Sequence, residues 1–119
     1  MLRQQVLGDA LHVTLLKLAG TLAPGDMALA VRELVELVGM SAAGLAPMIW
    51  SYPLPDGAGG LGNTICQPLV ESFVISDDWP DLGHTYLVLA SCRPYSVKAV
   101  KEFLAGRIGK ILRWKLVKL

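Results

Sequence analysis

The regular spacing of apolar residues after Pro24 is the feature that most constrains the fold. Apolar residues recur there at three- and four-residue intervals with charged residues between them, which is the pattern of a helix with one buried face. The apolar positions are Met27, Val31, Leu34, Val35 and Val38. Pro24, Gly25 and Asp26 have the composition of a turn and helix cap, and Gly39 is suited to ending the helix. The sequence therefore predicts an amphipathic helix between these two points.

A second amphipathic helix is predicted near the C-terminus. Its apolar positions are Val97, Val100, Leu104 and Ile108. Ser96 is a residue type favoured at the N-cap, and Gly109 is placed to end the helix.

Five other segments have the short apolar or alternating pattern of β-strands. They are residues 11–18, 48–52, 64–76, 84–92 and 111–119. Because Pro68 falls inside 64–76, part of that segment is predicted to be an edge strand or bulge, with room for a further strand boundary. Residues 53–62 are rich in Pro and Gly and predict a flexible loop.

The resulting order, β-α-β-β-β-α-β, clusters strands between two helices. This predicts an α/β (α+β) two-layer sandwich, a mainly antiparallel sheet with two helices on one face, as one domain over residues 1–119. The other face of the sheet would then be bare. Because 53% of the residues are hydrophobic and the mean hydropathy is +0.48, we expect that face to be covered by a second copy of the chain, giving a homodimer.

Composition argues against several classes of function. Eleven basic and ten acidic residues give a net charge near +1, which does not indicate nucleic-acid binding. No run of roughly twenty apolar residues predicts a membrane span, and the apolar stretch 11–23 lacks the pattern of a signal peptide. Two cysteines cannot supply a four-ligand zinc site or a disulfide framework. We therefore expect a cytoplasmic protein with free thiols and without a metal.

One segment carries a recognisable motif. Residues 69–81 read Leu-Val-Glu-Ser-Phe-Val-Ile-Ser-Asp-Asp-Trp-Pro-Asp, and Cys92 follows Ser72 by twenty residues. The combination of Glu71-Ser72, a Trp-Pro-acid triplet at Trp79 and this Cys spacing resembles the short, pyruvoyl-dependent S-adenosylmethionine decarboxylases of polyamine synthesis. The order of strands and helices is similar to that family over nearly the whole chain.

The resemblance implies a specific chemistry. The chain would cut itself between Glu71 and Ser72, and Ser72 would become a pyruvoyl group that accepts electrons as carbon dioxide leaves the substrate. Cys92 would supply the proton that completes decarboxylation. The family's serine eight residues before the cleavage point is Thr64 here, which keeps a hydroxyl. No metal and no diffusible cofactor is implied.

The same resemblance implies where a substrate would bind. Trp79 and Asp81 would border the pocket for S-adenosylmethionine, with the indole ring stacking on adenine and an acid accepting hydrogen bonds from the ribose. The family's aromatic residue before this block has Trp50 or Tyr52 as its replacement here.

Departures from the family pattern leave three functions open. Phe73 and Asp77 replace two family histidines, and the second of these acts in self-processing. Asp77 is the candidate replacement base, although a carboxylate is a weaker base than imidazole. The alternatives to a self-cleaving S-adenosylmethionine decarboxylase are a decarboxylase of another amino acid, such as arginine or ornithine, and an unprocessed homologue that binds a ligand or regulates as a dimer.

Overall fold

The computed structural model describes residues 10–44, 47–53 and 61–119, and these residues form six strands and two helices. In chain order the elements are β1 (His12–Ala19), α1 (Pro24–Leu37), β2 (Met48–Pro53), β3 (Leu61–Pro68), β4 (Ser72–Trp79), β5 (His84–Ser91), α2 (Val97–Arg107) and β6 (Ile111–Lys118). Among these residues, no helix is long and apolar enough to cross a membrane.

All six strands belong to one antiparallel sheet with the order β2-β3-β4-β5-β1-β6. The predicted α+β architecture is confirmed. The segment 64–76 contains parts of two strands, because the chain reverses between Pro68 and Ser72. Pro68 is the last residue of β3, which lies between β2 and β4. The further strand boundary expected in this segment is confirmed. As a whole, β3 is not an edge strand, but its pairing with β2 ends at Cys66, so Pro68 lies beyond that pairing and interrupts no hydrogen bond with β2.

Both helices begin and end close to the predicted positions. Pro24 occupies the first turn of α1, where a missing N–H costs nothing, and Gly39 follows the helix with a φ of 71°. The Ser96 hydroxyl accepts a hydrogen bond of 3.1 Å from the Ala99 N–H, so it is the N-cap of α2. The predicted loop at 53–62 falls mostly outside the described residues, but Pro53 ends β2 and Gly62 lies within β3.

The core lies between the sheet and the two helices. Alternate residues of the central strands contact apolar residues of α1 and α2. The members with the least exposure are Leu18, Met27, Val31, Leu34, Ile65, Val74, Leu87, Leu89, Val100 and Leu104. Both helices therefore cover the same face of the sheet.

The opposite side, here named the open face, carries the residues that alternate with the core positions. Four of them show how it differs from the core: Leu15, Met48, Trp50 and Tyr86 are 40–50% exposed. In residues 10–44, 47–53 and 61–119, no helix covers this face. Leu112, Trp114 and Leu116 share one side of β6 as predicted, but as members of an edge strand they are more exposed than expected.

Candidate functional site

The peptide bond between Glu71 and Ser72 lies in the turn that joins β3 to β4. The Leu69 N–H donates to the Ser72 carbonyl at 2.9 Å, which closes this turn. Ser72 is the first residue of β4 and is paired with Ser91, the last residue of β5. This register brings Cys92, the next residue, beside the peptide bond. The spacing of Ser72 and Cys92 in the sequence thus corresponds to adjacent positions in the sheet.

Cys92 makes two contacts with the carbonyl oxygen of Glu71. Its backbone N–H donates to this oxygen at 3.2 Å, and its thiol donates to the same oxygen at 3.2 Å. Two donors on one carbonyl oxygen polarise the C=O bond and can stabilise negative charge that develops there. Cys92 is partly buried and forms no disulfide.

The side chain of Glu71 is also held. Glu71 is 7% exposed, and one carboxylate oxygen accepts a hydrogen bond of 3.0 Å from the Ser41 N–H. The other oxygen lies 3.6 Å from the Arg93 guanidinium. A buried carboxylate needs such donors, since an unpaired charge away from water is costly. We name Ser41, Glu71, Ser72, Cys92 and Arg93 the peptide cluster.

Asp77, predicted to act as a base on Ser72, does not lie beside it in this chain. The two residues are five positions apart on one strand, which corresponds to about 16 Å. An odd separation also places them on opposite faces. Ser72 lies on the same, helix-covered face as the buried Val74, whereas Asp77 lies on the open face. Its role as a base stays a prediction.

Asp77 is instead the centre of a second group of polar side chains on the open face. One of its oxygens accepts hydrogen bonds from the Tyr52 hydroxyl at 2.9 Å and the Thr64 hydroxyl at 3.0 Å. Its other oxygen accepts from the Trp79 indole N–H at 3.0 Å. The Tyr52 and Thr64 hydroxyls are 2.6 Å apart. We name these four residues the carboxylate cluster.

Strand register explains how these four residues meet. Thr64 pairs directly with Asp77 across β3 and β4, while Tyr52 reaches them from β2 and Trp79 lies two residues along β4. The hydrogen bond with Thr64 lowers the pKa of Tyr52. Burial and the Asp77 carboxylate raise this pKa by a larger amount, so the net shift is upward. Tyr52 therefore keeps its proton and remains a donor. The result is a fixed carboxylate bordered by two aromatic rings.

The structure thus separates the predicted site residues into two groups. Glu71, Ser72 and Cys92 meet at the start of β4, and Thr64, Asp77 and Trp79 meet toward its end. Asp81 is exposed in the turn after β4. In the described part of the chain, no three or more His, Cys, Asp or Glu side chains are gathered in a way that could hold a metal ion.

Two members of the peptide cluster were not predicted from the sequence. Ser41 contributes a backbone N–H, which no side-chain pattern indicates. Arg93 directly follows Cys92, and this adjacency was the feature of the sequence that could have placed it near the peptide bond. From the sequence, Tyr52 was only one of two candidates to replace the family's aromatic residue. Its hydrogen bonds were not foreseen, because its partners lie on β3 and β4.

The same architecture is found among solved structures. No family model matches the sequence, and no match is found among curated proteins. The crystal structure of the adenosylmethionine decarboxylase from Aquifex aeolicus VF5 is similar, with a TM-score of 0.64 and 15% sequence identity. The similarity covers 92% of this chain and 88% of the other. The two chains share a fold. At this identity, activity does not follow from the similarity.

Proposed function

We propose that the protein is a pyruvoyl-dependent decarboxylase of the S-adenosylmethionine decarboxylase kind, which cleaves itself between Glu71 and Ser72. The observation that carries the proposal is the pair of hydrogen bonds from Cys92 to the Glu71 carbonyl oxygen. The shared fold supports it independently.

The contacts at this carbonyl suit the first step of self-cleavage. The Ser72 hydroxyl oxygen adds to the Glu71 carbonyl carbon, and the hydroxyl proton passes to the amide nitrogen. The C–N bond then breaks, so an ester replaces the amide. Negative charge develops on the Glu71 oxygen during this step, where the Cys92 N–H and thiol stabilise it. Loss of the Ser72 Cα proton to a base then expels the newly formed main-chain carboxylate of Glu71 and leaves dehydroalanine at residue 72. Its imine tautomer adds water and releases ammonia, which leaves a pyruvoyl group there.

The residues around Ser72 fit such a group. A pyruvoyl group supplies an electron sink for the charge left when a substrate carboxylate departs as carbon dioxide. The Cys92 thiol already lies against the carbonyl of the adjoining residue and can hold the proton that the product needs. Main-chain bonds on both sides of the turn keep this proximity fixed.

The carboxylate cluster suits a substrate that carries positive charge. A fixed anion beside aromatic rings attracts organic cations, including a sulfonium or an ammonium group. Asp77 has three donors that orient it, and Trp79 is partly exposed next to it. We assign substrate binding to this cluster, with S-adenosylmethionine as the first candidate and arginine or ornithine as the alternatives.

A homodimer that packs through the open face would bring the carboxylate cluster of one chain closer to the peptide cluster of the other. If two sheets pack face to face about a two-fold axis perpendicular to the strands, the β4 strands of the two chains lie over each other and run in opposite directions. This arrangement carries the partner's Asp77 over the open face toward the end of β4 where the Glu71–Ser72 peptide bond lies, although the Ser72 side chain itself is on the helix-covered face. In such a dimer each site would draw on both chains.

One observation favours a second function, an uncleaved ligand-binding protein. Asp77 lies about 16 Å along the strand from Ser72 and is engaged by three donors, so Asp77 of the same chain is not placed to act as a base on Ser72. The carboxylate cluster needs no cleavage to bind a cation. Titration of the Ser72→Ala chain with S-adenosylmethionine, with and without Asp77→Asn, would measure such binding directly.

The intact mass of the purified chain under denaturing conditions tests the main proposal. We expect two fragments that meet between Glu71 and Ser72, and a single mass for Ser72→Ala. Ser76→Ala is the matched control, because Ser76 lies on the same strand and its buried hydroxyl has no hydrogen-bond partner in the part of the chain that the structure describes. A full-length mass that persists through long incubation of the unmodified chain would contradict self-cleavage and leave the binding function.

Coexpression of two differently tagged variants tests the role of the dimer. One chain carries Ser72→Ala and supplies Asp77, and the other carries Asp77→Asn and supplies Ser72. Cleavage of the second chain in the mixed dimer, but not when it is expressed alone, is expected if Asp77 acts across the interface. If the Asp77→Asn chain expressed alone is cleaved normally, Asp77 takes no part in cleavage.

A further inference from the structure

We infer that Arg93 is a positioning residue: through the carboxylate of Glu71 it holds the Glu71–Ser72 peptide bond against Cys92. Its effect on reaction rate rests on the proposed self-cleavage. Its effect on the geometry of the turn does not, and can be measured in an uncleaved chain.

The guanidinium connects three segments of the chain. Arg93 lies 3.6 Å from the Glu71 carboxylate and donates to the Gly39 carbonyl at 3.3 Å. The segment after α1 also holds the turn directly, because the Val70 N–H donates to the Ser41 carbonyl at 2.9 Å. Arg93, the second residue after β5, thus connects the end of α1 to the turn before β4.

The burial of Glu71 gives Arg93 its influence. The Glu71 side chain is only 6% exposed, whereas that of Arg93 is 43% exposed. Without the guanidinium, the Ser41 N–H would remain the single donor to this buried charge among the described residues. The carboxylate would then move toward water. The carbonyl of the same residue would move with it, away from Cys92.

Such a displacement matters for the acyl shift. The Ser72 oxygen must reach the Glu71 carbonyl carbon while Cys92 contacts the carbonyl oxygen, and rates of this kind fall steeply with misplacement. Bond formation between Ser72 and this carbon, rupture of the C–N bond and transfer of the hydroxyl proton to nitrogen require no further reactant. Arg93 touches none of the reacting atoms and acts through the Glu71 side chain.

Cleavage rates form the first test. We expect Arg93→Ala to slow cleavage about tenfold and Arg93→Lys to recover part of the loss, since lysine keeps the charge but not the planar fork. Lys98→Ala is the matched control: it also removes a cation, but one whose side chain is 86% exposed. In a Glu71→Gln background the effect of Arg93→Ala should shrink below about twofold, because residues that act through one another are not additive. Equal effects in both backgrounds would overturn the inference.

Thiol alkylation forms the second test and does not require cleavage. In the Ser72→Ala chain, Arg93→Ala should speed alkylation of Cys92 several-fold, because its thiol loses the Glu71 oxygen as acceptor. Cys66, on β3, is the internal reference in the same sample. An unchanged ratio of Cys92 to Cys66 alkylation would refute positioning by Arg93. A single full-length mass of the unmodified chain combined with an increased ratio would reject self-cleavage but retain the positioning role.

Discussion

Asp78 provides the sharpest test of how this structure depends on pH. It is 1% exposed on the helix-covered face of β4, and one of its carboxylate oxygens has no hydrogen-bond partner among the described residues. The other oxygen accepts a hydrogen bond of 2.9 Å from the Thr85 hydroxyl, which also lies 2.9 Å from the Gly20 carbonyl oxygen. Since the hydroxyl has one hydrogen to share between these two acceptors, the buried carboxylate is only weakly stabilised in its charged form. Asp78→Asn keeps the shape and removes the titration.

The size of the effect follows from the pKa. Burial raises the pKa of Asp78 to about 6 from 3.8; the Thr85 hydrogen bond opposes this shift and the Asp77 charge adds to it. This rise in the pKa of Asp78 corresponds to about 3 kcal/mol in the free energy of unfolding. Between pH 4 and 6 the unfolded state loses its proton while the folded state keeps it, so the free energy of unfolding falls as pH rises. Above about pH 6, Asp78 is ionised in both states, and its effect on the free energy of unfolding no longer changes with pH.

Urea denaturation followed by tryptophan fluorescence at pH 4, 5, 6 and 7 measures the effect. The difference in unfolding free energy between Asp78→Asn and the unmodified chain should grow by up to about 3 kcal/mol from pH 4 to 7, in favour of the variant. Asp81→Asn, in an exposed turn, controls for loss of a charge. Parallel pH profiles for the unmodified chain and Asp78→Asn would refute the reasoning.

Three further substitutions test packing and hydrogen bonding. Leu34→Ala removes a fully buried side chain of α1 and should cost about 3 kcal/mol in urea denaturation, whereas the same change at the half-exposed Leu37 should cost far less. Gly109→Ala should lower thermal stability, because a Cβ there would collide with the Ala19 carbonyl, while Gly25→Ala, with open space around it, should be tolerated. Thr64→Val removes one donor to Asp77 and should cost about 1 kcal/mol; no loss of unfolding free energy would mean that Tyr52 and Trp79 suffice.

Most of the secondary structure was predictable because its signals are local. The apolar spacing of α1, the Ser96 cap of α2 and the alternation of β6 each depend on residues within one element. The reversal between Pro68 and Ser72 was harder to place, because it lacks the usual glycine or asparagine. Its position is fixed by pairing of β3 with β4, which the local sequence does not encode.

The candidate site divides in the same way. The spacing of Ser72 and Cys92 was informative because both lie at strand ends that pair directly. The short separation of Ser72 and Asp77 in the sequence was misleading. The two residues are close along one strand, but their side chains lie on opposite faces of the sheet.

The sequence by itself determined the elements, the fold class and the residues that resemble a self-cleaving decarboxylase. Only the tertiary structure decided that Cys92 contacts the Glu71 carbonyl, that Arg93 reaches the Glu71 carboxylate, and that Asp77 belongs to a separate cluster. The physical reason is that periodicity reflects one element at a time. Strand register and the burial of a carboxylate depend on contacts between residues far apart in the chain.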